Sequence, residues 1–444
     1  MKTPVWDFAH NYLNKKTVRL HMPGHKGCGD LGVEGLDITE IEGADVLYSS
    51  EGIIKESEEN AAGLFESKKT VYSAEGSSLS IRAMLYLVCQ YAKLKNQRPV
   101  ILAGRNAHKT FISASALLDI DVRWIFPKNN SVLSCEINLE NLEKEIIKEK
   151  PTAVYITSPD YLGYISDIKG ISSILKEYGV LLLVDNAHGA YLKFLENSLH
   201  PIDLGADMCV DSAHKTLPVL TGGGYLHISK DAPDFFALQA YNAFSLFAST
   251  SPSYLILQSL DKANASLEKD FPVKVKNISE KTLSLKERLI KNGYTLVGNE
   301  PLKITINAKS YGYTGYQLAR ILEKNNIVSE FYDPDYLVLM VSVNTKECEL
   351  NLVQSVLCGI EKLPPITEIP LGLEKPKVVM SPKEAVMKSK IKIPAQKALG
   401  KVLGSVSVNC PPAVPIVVCG EEINASALKL FEYYNINTCY VVES

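Results

Sequence analysis

The chain has 444 residues, of which 46% are hydrophobic and 22% charged, the composition of a folded globular protein rather than a disordered one. Its 47 lysines and arginines nearly balance 50 aspartates and glutamates, and the net charge of −3 counts against nucleic acid as the main partner. The sequence lacks an apolar run of roughly 18 residues, a signal-peptide core and a C-x-x-C pair among its nine cysteines. We therefore expect a cytoplasmic protein with reduced thiols and without membrane contact or a metal site.

Seven β-branched apolar runs alternate with helical patterns between about residues 70 and 229, which predicts a layered α/β core. Several runs are apolar at successive positions, as in strands covered by helices on both faces. The runs are Thr70–Ala74, Pro99–Ala103, Val122–Phe126, Ala153–Thr157, Val180–Val184, Met208–Val210 and Gly224–Ile228. Helical patterns fall at 139–150 and 171–179, and the second pattern ends at a glycine suited to a helix C-terminus.

The last third of the chain predicts further, smaller domains. A long helix is expected over 273–292, followed by a second α/β pattern with strands at 303–307 and 336–343 and a helix at 316–325. Prolines at 364, 365, 370 and 376 have the composition of a linker, and the alternating Lys388, Lys390 and Lys392 indicate a solvated strand face. The expected organisation is an arm (1–50), a large domain (51–292), a small α/β domain (293–363) and a linker with a C-terminal domain (364–444).

Two segments after strands carry groups that bind and activate a heterocyclic cofactor. Asp185 ends one predicted strand, where open α/β sheets form ligand crevices, and His188 follows, with the small Ala187 and Gly189 suggesting that a flat ring approaches the backbone. The alternative for such an aspartate is a turn or helix cap. Lys215 follows the next predicted strand, and partial burial beside another cation would favour its neutral amine for a Schiff base. The alternative is an ordinary exposed lysine.

Taken together, these residues point to pyridoxal 5'-phosphate. This cofactor needs an aspartate at its ring nitrogen and a lysine at its aldehyde, and its phosphate suits a helix N-terminus. Gly76, Ser77 and Ser78 lie between a predicted strand and an amphipathic helix and supply such a turn, although a helix cap has the same appearance. His108, after a fourth strand, is expected to stack on the cofactor ring, and the alternative is a polar loop residue.

The chain resembles the bacterial-type ornithine/lysine/arginine decarboxylases, which depend on pyridoxal phosphate and have the aspartate aminotransferase fold type I. The resemblance rests on motifs spread over nearly the whole chain. These are His21–Gly27, Asp37–Glu40, Gly76–Ser78, Arg105–Lys109, Ser158–Gly163, Asp185–His188, Ser212–Lys215, Ser249–Tyr254, Ser381–Pro382 and Pro411–Pro415. It implies an α/β, aspartate-aminotransferase-like architecture with a seven-stranded, mostly parallel sheet in the large domain, a small α/β domain and a C-terminal domain.

The resemblance also implies roles for residues that the patterns alone do not assign. Lys215, Asp185, His188 and His108 are the expected catalytic residues. Ser212 and His214 are expected near the phosphate, and Thr250 lies in a stretch expected to reach the neighbouring subunit's site in a homodimer. The cofactor-binding set is therefore Lys215, Gly76, Ser77, Ser78, His108, Asp185, His188, Ser212, His214 and Thr250.

The implied reaction is decarboxylation of arginine, lysine or ornithine to the corresponding amine, a step of polyamine biosynthesis. The alternative is an aminotransferase or another lyase on the same fold, and a non-enzymatic binding module is a third reading. Segment 337–342 lacks the arginine with which aminotransferases of this fold hold the substrate carboxylate, which favours carboxylate loss. Asp45, Glu330 and Glu421 are candidate partners for the cationic substrate tail.

Overall fold

The computed structural model describes residues 1–127, 132–368, 372–410 and 414–443. Contacts between residues divide the chain into two compact units. The first unit comprises Met1–Pro99, Thr152–Val154 and Ile168–Val275. The second comprises Val100–Pro151, Tyr155–Asp167 and Lys276–Ser444. Across the described ranges, no helix is both long enough and apolar enough to cross a membrane.

Seven strands form the largest sheet. They are β1 (Lys69–Ser73), β2 (Val100–Gly104), β3 (Asp121–Ile125), β4 (Ala153–Thr157), β5 (Leu181–Asp185), β6 (Met208–Asp211) and β7 (Gly224–Ile228). Their hydrogen-bonded order is β1-β7-β6-β5-β4-β2-β3. The pairs β2–β3 and β5–β6 are parallel, whereas β7 is antiparallel to both β1 and β6. The predicted seven-stranded, mostly parallel sheet is confirmed, and each predicted run matches a strand to within one residue at either end.

Ten α-helices accompany these strands within the described residues up to 291. They are α1 (Pro4–Asn14), α2 (Ile53–Phe65), α3 (Gly76–Leu94), α4 (Lys109–Leu118), α5 (Leu139–Glu149), α6 (Ile168–Glu177), α7 (Ala213–Thr216), α8 (Asp234–Ser245), α9 (Tyr254–Lys269) and α10 (Phe271–Lys291). Local signals set their ends: the Asn138 side chain accepts from the Asn141 amide at the start of α5. Gly179, with φ of +64°, follows α6, as the sequence predicted.

A second, antiparallel sheet follows α10. It contains β8 (Thr295–Val297), β9 (Lys303–Asn307), β10 (Phe331–Tyr332) and β11 (Tyr336–Met340) in the order β10-β11-β9-β8, with helices α11 (Gly315–Glu323) and α12 (Glu347–Cys358). Thr314 and Gln317 form a reciprocal capping box at the start of α11. The predicted second α/β pattern is therefore observed, with β9 at its predicted bounds.

Within the described part of the last seventy residues there are two short strand pairs, β12–β15 and β13–β14. Their elements are α13 (Pro382–Met387), β12 (Lys390–Pro394), β13 (Ser407–Cys410), β14 (Val414–Val418), α14 (Ala425–Tyr433) and β15 (Thr438–Val442). Leu403, Ile416, Leu430 and Phe431 belong to one buried cluster in this region. The alternating lysines at 388, 390 and 392 are exposed, as expected. Pro370 of the predicted linker and residues 411–413 of the predicted C-terminal motif lie outside the described residues.

Candidate active site

Lys215 lies in the short helix α7, directly after β6. Its main-chain amide donates to the Ser212 carbonyl (3.0 Å), so the helical turn fixes the direction of the side chain. The side chain is partly buried, and its Nζ lies 3.2 Å from Nε2 of His188, which is 3% exposed. Two segments that the sequence singled out separately therefore meet in the first unit.

Asp185 is the last residue of β5 and is 2% exposed. One of its carboxylate oxygens, Oδ1, accepts from the Ala187 amide (3.2 Å). In the parallel pairing of β5 with β6, Asp185 lies opposite Val210, whose carbonyl also accepts from the Asn186 amide (2.9 Å). Asp185 and Lys215 thus follow the carboxyl ends of adjacent parallel strands, the place where open α/β sheets bind ligands.

The predicted phosphate turn forms the first residues of α3. Gly76 has φ of +68°, a conformation in which a side chain is strained. Ser73 Oγ donates to the Gly76 carbonyl (2.7 Å), and Ser212 Oγ donates to Ser77 Oγ (2.8 Å). The turn at the start of α3 is therefore joined to the segment that carries Lys215, and the 19-residue helix directs the positive end of its dipole to this position.

Three consecutive glycines bring β7 close to this turn. A Cβ on Gly222 would lie 3.1 Å from the Ala74 carbonyl oxygen, and one on Gly224 would lie 3.1 Å from Gly76 C and 3.2 Å from Ser77 N. The Gly76 amide donates to the Gly222 carbonyl (2.6 Å). Larger residues at 222 and 224 would therefore push this strand away from the phosphate turn.

His214 precedes Lys215 and has a defined tautomer. Its Nδ1 donates to the Gly223 carbonyl (2.8 Å), which leaves Nε2 as an acceptor. Burial lowers the pKa of His214, and the charge of the adjacent Lys215 lowers it further. The imidazole is therefore mostly neutral at neutral pH.

The patterns did not find a buried polar cluster around Asp211. Its carboxylate accepts from Asn186 Nδ2 (2.7 Å) and contacts Nε2 of both His200 (3.0 Å) and His227 (3.2 Å). Burial opposes ionisation, but the contacts with the two histidines outweigh it and hold the pKa of Asp211 well below its usual range. Cys209 Sγ lies 3.6 Å from Asp211 Oδ1, so His200, Cys209 and Asp211 also present ligand atoms that could hold a metal ion. The histidines lie 11 and 16 residues from Asp211, and no local motif links them.

Residue 189 is packed too closely against its neighbours to carry a side chain. A Cβ on Gly189 would lie 1.9 Å from Asn186 Oδ1 and 2.8 Å from Leu192 Cδ1. Gly189 therefore makes room for Asn186 and Leu192, and the approach of a flat ring to this segment stays a prediction.

Two further predicted residues belong to other segments of the chain. His108 belongs to the second unit, where it caps α4: its Nδ1 accepts from the Thr110 amide (3.3 Å) and lies 3.0 Å from Thr110 Oγ1. Thr250 is exposed in the first unit, within a segment whose Ser249 amide donates to Glu75 Oε1 (2.8 Å).

Two of the three acids suggested for the substrate tail have structural partners. Asp45 accepts from the amides of Gly52 (2.9 Å) and Ile54 (3.0 Å) at the start of α2. Glu421 forms a buried ion pair with Arg105. Glu330 lines a cavity of about 300 Å³ in the second unit whose walls are mostly aliphatic, among them Leu285 and Ile304.

The residues of the first unit fit pyridoxal phosphate. They comprise a partly buried lysine amine at 215, a buried carboxylate at 185 and a helix N-terminus with serine hydroxyls at 77 and 212. These are the groups that the aldehyde, the ring nitrogen and the phosphate of this cofactor require.

Comparisons with known proteins agree with this chemistry. The family model described as Orn/Lys/Arg decarboxylase, major domain, matches residues 3–297. The Bacillus subtilis protein YaaO, itself uncharacterized, is 28% identical, with the alignment covering 97% of this chain and 93% of that protein. The arginine decarboxylase of Bacillus subtilis is also 28% identical, over 95% of this chain and 91% of the enzyme.

Solved structures identify the fold. The lysine decarboxylase LdcF of Francisella novicida has a TM-score of 0.83 and 18% identity, covering 99% of this chain and 81% of the other. The constitutive lysine decarboxylase of E. coli has a TM-score of 0.79 and 17% identity, covering 100% and 82%. The expected aspartate-aminotransferase-like fold type I is therefore confirmed.

Proposed function

This chain belongs to the Orn/Lys/Arg decarboxylase family, and we propose that it removes the α-carboxyl group of arginine as carbon dioxide, leaving the amine. It is an amino-acid decarboxylase of a family that depends on pyridoxal phosphate. We choose arginine over lysine and ornithine as the substrate because relatives named arginine decarboxylase align over more than nine-tenths of this chain and of their own length. The observation that carries the proposal is the 3.2 Å contact of Lys215 Nζ with His188 Nε2, which joins the lysine segment to the Asp185 segment.

Lys215 and Asp185 take the two central roles. When bound, pyridoxal phosphate supplies a conjugated ring that accepts the electron pair left as the bond between the substrate Cα and its carboxylate breaks. Asp185 holds a proton on the ring nitrogen, since a buried carboxylate stabilises the adjacent cationic form. One proton then replaces the departing carbon dioxide on Cα. It comes from Lys215 Nζ, because neutral His214 has its only ring proton on Nδ1, which donates to the Gly223 carbonyl.

The remaining first-unit residues bind and orient. His188 holds Lys215 Nζ in place through its Nε2 atom. Ser77 and Ser212, together with Gly76, Ser78 and the dipole of α3, receive the phosphate. We assign His108 to stacking on the cofactor ring.

Carboxylate loss is favoured over transamination. The family resemblance implies that segment 337–342, which overlaps strand β11 (Tyr336–Met340), is the counterpart of the strand in which aminotransferases of this fold place a carboxylate-binding arginine. This segment has no arginine. A substrate whose carboxylate is not held by a cation can lose it as neutral carbon dioxide, a step that a water-poor pocket favours.

We also propose a homodimer in which the segment Ser249–Tyr254 reaches the neighbouring subunit's site. Ser249, Thr250 and Ser251 are exposed in the single chain, which supports this role. Light scattering should give twice the chain mass or a multiple of it, and a monomer that is fully active would contradict the proposal.

The test of the activity is a carbon dioxide release assay with arginine, lysine and ornithine, with the amine product identified by chromatography. The wild type is expected to use arginine best and to show an absorbance band that borohydride bleaches. Lys215→Ala should lose both the band and the gas release, whereas Lys230→Ala, at an exposed position of the same unit, should retain both. Formation of a keto acid would overturn decarboxylation, and preference for lysine or ornithine would overturn the choice of arginine.

A further inference from the structure

The buried carboxylate of Asp211 joins four separate parts of the first unit. Asn186, its donor at 2.7 Å, directly follows β5. His200 belongs to the loop before β6, and His227 lies in β7. Asp211, His200 and His227 are completely buried, and so is Asn186. One anion thus connects β5, β6, β7 and the loop that precedes β6.

The cluster lies between the two groups that the proposed reaction needs. Asn186 is the neighbour of Asp185, and Asp211 is the neighbour of Ser212, which begins the segment leading to Lys215. The side-chain bond between Asn186 and Asp211 has a backbone bond beside it, because the Asn186 amide donates to the Val210 carbonyl (2.9 Å). Asn186 is therefore bonded to two successive residues of β6, once by its backbone and once by its side chain.

We propose that Asp211 is a positioning residue that fixes Asp185 relative to Lys215 through the side chain of Asn186. The inference rests on the proposed function, because it concerns the residues that would bind the ring nitrogen and the aldehyde. Asp211 itself need not touch substrate or cofactor.

The charge of Asp211 is what the arrangement requires. A carboxylate offers four acceptor sites, so it receives the amide of Asn186 and both histidine nitrogens at once. These bonds are shorter and stronger than those of a neutral amide. Asparagine at 211 has nearly the same shape, but its NH₂ group would face one of these donors and break that bond. Asp211→Asn therefore removes the negative charge and at least one of these bonds without opening a cavity, whereas Asn186→Ala removes the Asn186–Asp211 bond itself.

The experiment compares Asp211→Asn, Asn186→Ala and the control Lys230→Ala. Lys230 is exposed in the same unit, so its replacement should leave the Asn186–Asp211 bond intact. The first readout is hydrogen exchange in the cofactor-free protein: the amides of residues 186 and 212–215 should exchange about tenfold faster in the first two variants. This readout is independent of any reaction, so it stays valid if the chain proves to have another activity.

The second readout uses the cofactor-loaded protein. Visible circular dichroism per bound cofactor reports how the ring is held, and it should fall by about half in Asp211→Asn and Asn186→Ala. The value of kcat should fall by about 100-fold with KM nearly unchanged, as expected for a small displacement of reacting groups. Lys230→Ala should match the wild type in both measurements. The double variant should lose no more than the worse single one, because both substitutions remove one interaction.

Three results would overturn the inference. One is Asn186→Ala with wild-type exchange and circular dichroism, and this variant keeps the test open if Asp211→Asn does not fold. Another is a double variant whose falls in circular dichroism and kcat equal the combined falls of the two single variants. The third is one zinc ion per chain in elemental analysis of the purified protein, since His200, Cys209 and Asp211 would then be metal ligands.

Discussion

Arg105 and Glu421, 316 residues apart in the chain, form a two-point ion pair inside the second unit. Arg105 Nη1 and Nη2 donate to the two carboxylate oxygens at 2.8 and 2.7 Å, and both side chains are almost fully buried. Arg105 Nη2 also donates to the Ile416 carbonyl (3.0 Å), and the guanidinium lies 5.0 Å from the Trp124 ring centroid. The pair attaches the C-terminal residues to the loop that carries His108.

Replacing Glu421 by glutamine should destabilise the protein strongly. The substitution leaves the Arg105 charge buried without its anionic partner, and breaking a buried pair in this way costs about 3 kcal/mol or more. The free energy of unfolding, measured by urea denaturation, should fall by that amount. The control Glu432→Gln, on the exposed side of α14, should change it by less than about 0.5 kcal/mol. Equal effects of the two substitutions would contradict the prediction.

Two glycine-to-alanine substitutions should have opposite signs. Gly76 has φ of +68°, where a Cβ costs about 1–2 kcal/mol, while its nearest neighbour would be His214 Cε1 at 3.9 Å. Gly76→Ala should therefore destabilise through backbone strain, not crowding, and should weaken cofactor binding. Gly63 lies in α2 with nothing within 4 Å of a built Cβ, so Gly63→Ala should stabilise by about 0.5–1 kcal/mol. Chemical denaturation of both variants measures their free energies of unfolding. Changes in the same direction would refute the prediction.

Glu58 should make the protein less stable as the pH rises. Burial raises the pKa of Glu58 to about 7 from its usual 4.5, although bonds from Tyr241 and the Tyr72 amide act the other way. Between these two values the folded protein keeps the proton that the unfolded chain has released. The free energy of unfolding therefore falls by up to about 1.4 kcal/mol per pH unit in this window and levels off above it.

Glu58→Gln isolates this contribution. Glutamine can still accept from the Tyr72 amide and can donate to Tyr241, so the contacts are retained while the titration is lost. Urea denaturation at pH 5 and pH 7.5 should show a smaller loss of stability in the variant than in the wild type. Identical pH dependences would mean that Glu58 is ionised throughout this range.

The cysteines should differ sharply in reactivity. Cys28 and Cys348 are exposed, whereas burial raises the pKa of Cys135 to about 11 and those of Cys89 and Cys419 to about 12. Because the thiolate is the reactive form, alkylation of the folded protein at neutral pH should label the first two and spare the other three. Peptide mass spectrometry locates the label, and alkylation in denaturant serves as the control. Rapid labelling of Cys89, Cys135 or Cys419 in the folded protein would show that these sites open readily.

The sheet was predictable because its signals are local. Strand β5 is buried at every position, and that burial is visible in the sequence as a run of consecutive apolar residues. The end of that run located Asp185, and the end of β6 located the segment of Lys215. Gly179 likewise marked the end of α6 by its own conformational preference.

The polar partners were not predictable because they depend on distant residues. Glu421 was a candidate partner for the substrate tail, with a structural acid as the alternative, and only the fold shows that it pairs with Arg105. The partners of Asp211 come from two loops and a neighbouring strand, and each alone is an ordinary polar residue. The need for glycine at 189 was equally hard to predict, because it depends on how the Asn186 side chain packs in the fold.

The position of β1 at the edge of the large sheet has a consequence for synthesis on the ribosome. Its hydrogen-bonded neighbour is β7, which begins about 150 residues later in the chain. At a translation rate of about 5–20 residues per second, the emerging polypeptide waits roughly 8–30 s before that neighbour leaves the exit tunnel. During this interval Val71 and Tyr72, both completely buried in the finished protein, are open to chaperones and to misassociation with other nascent chains.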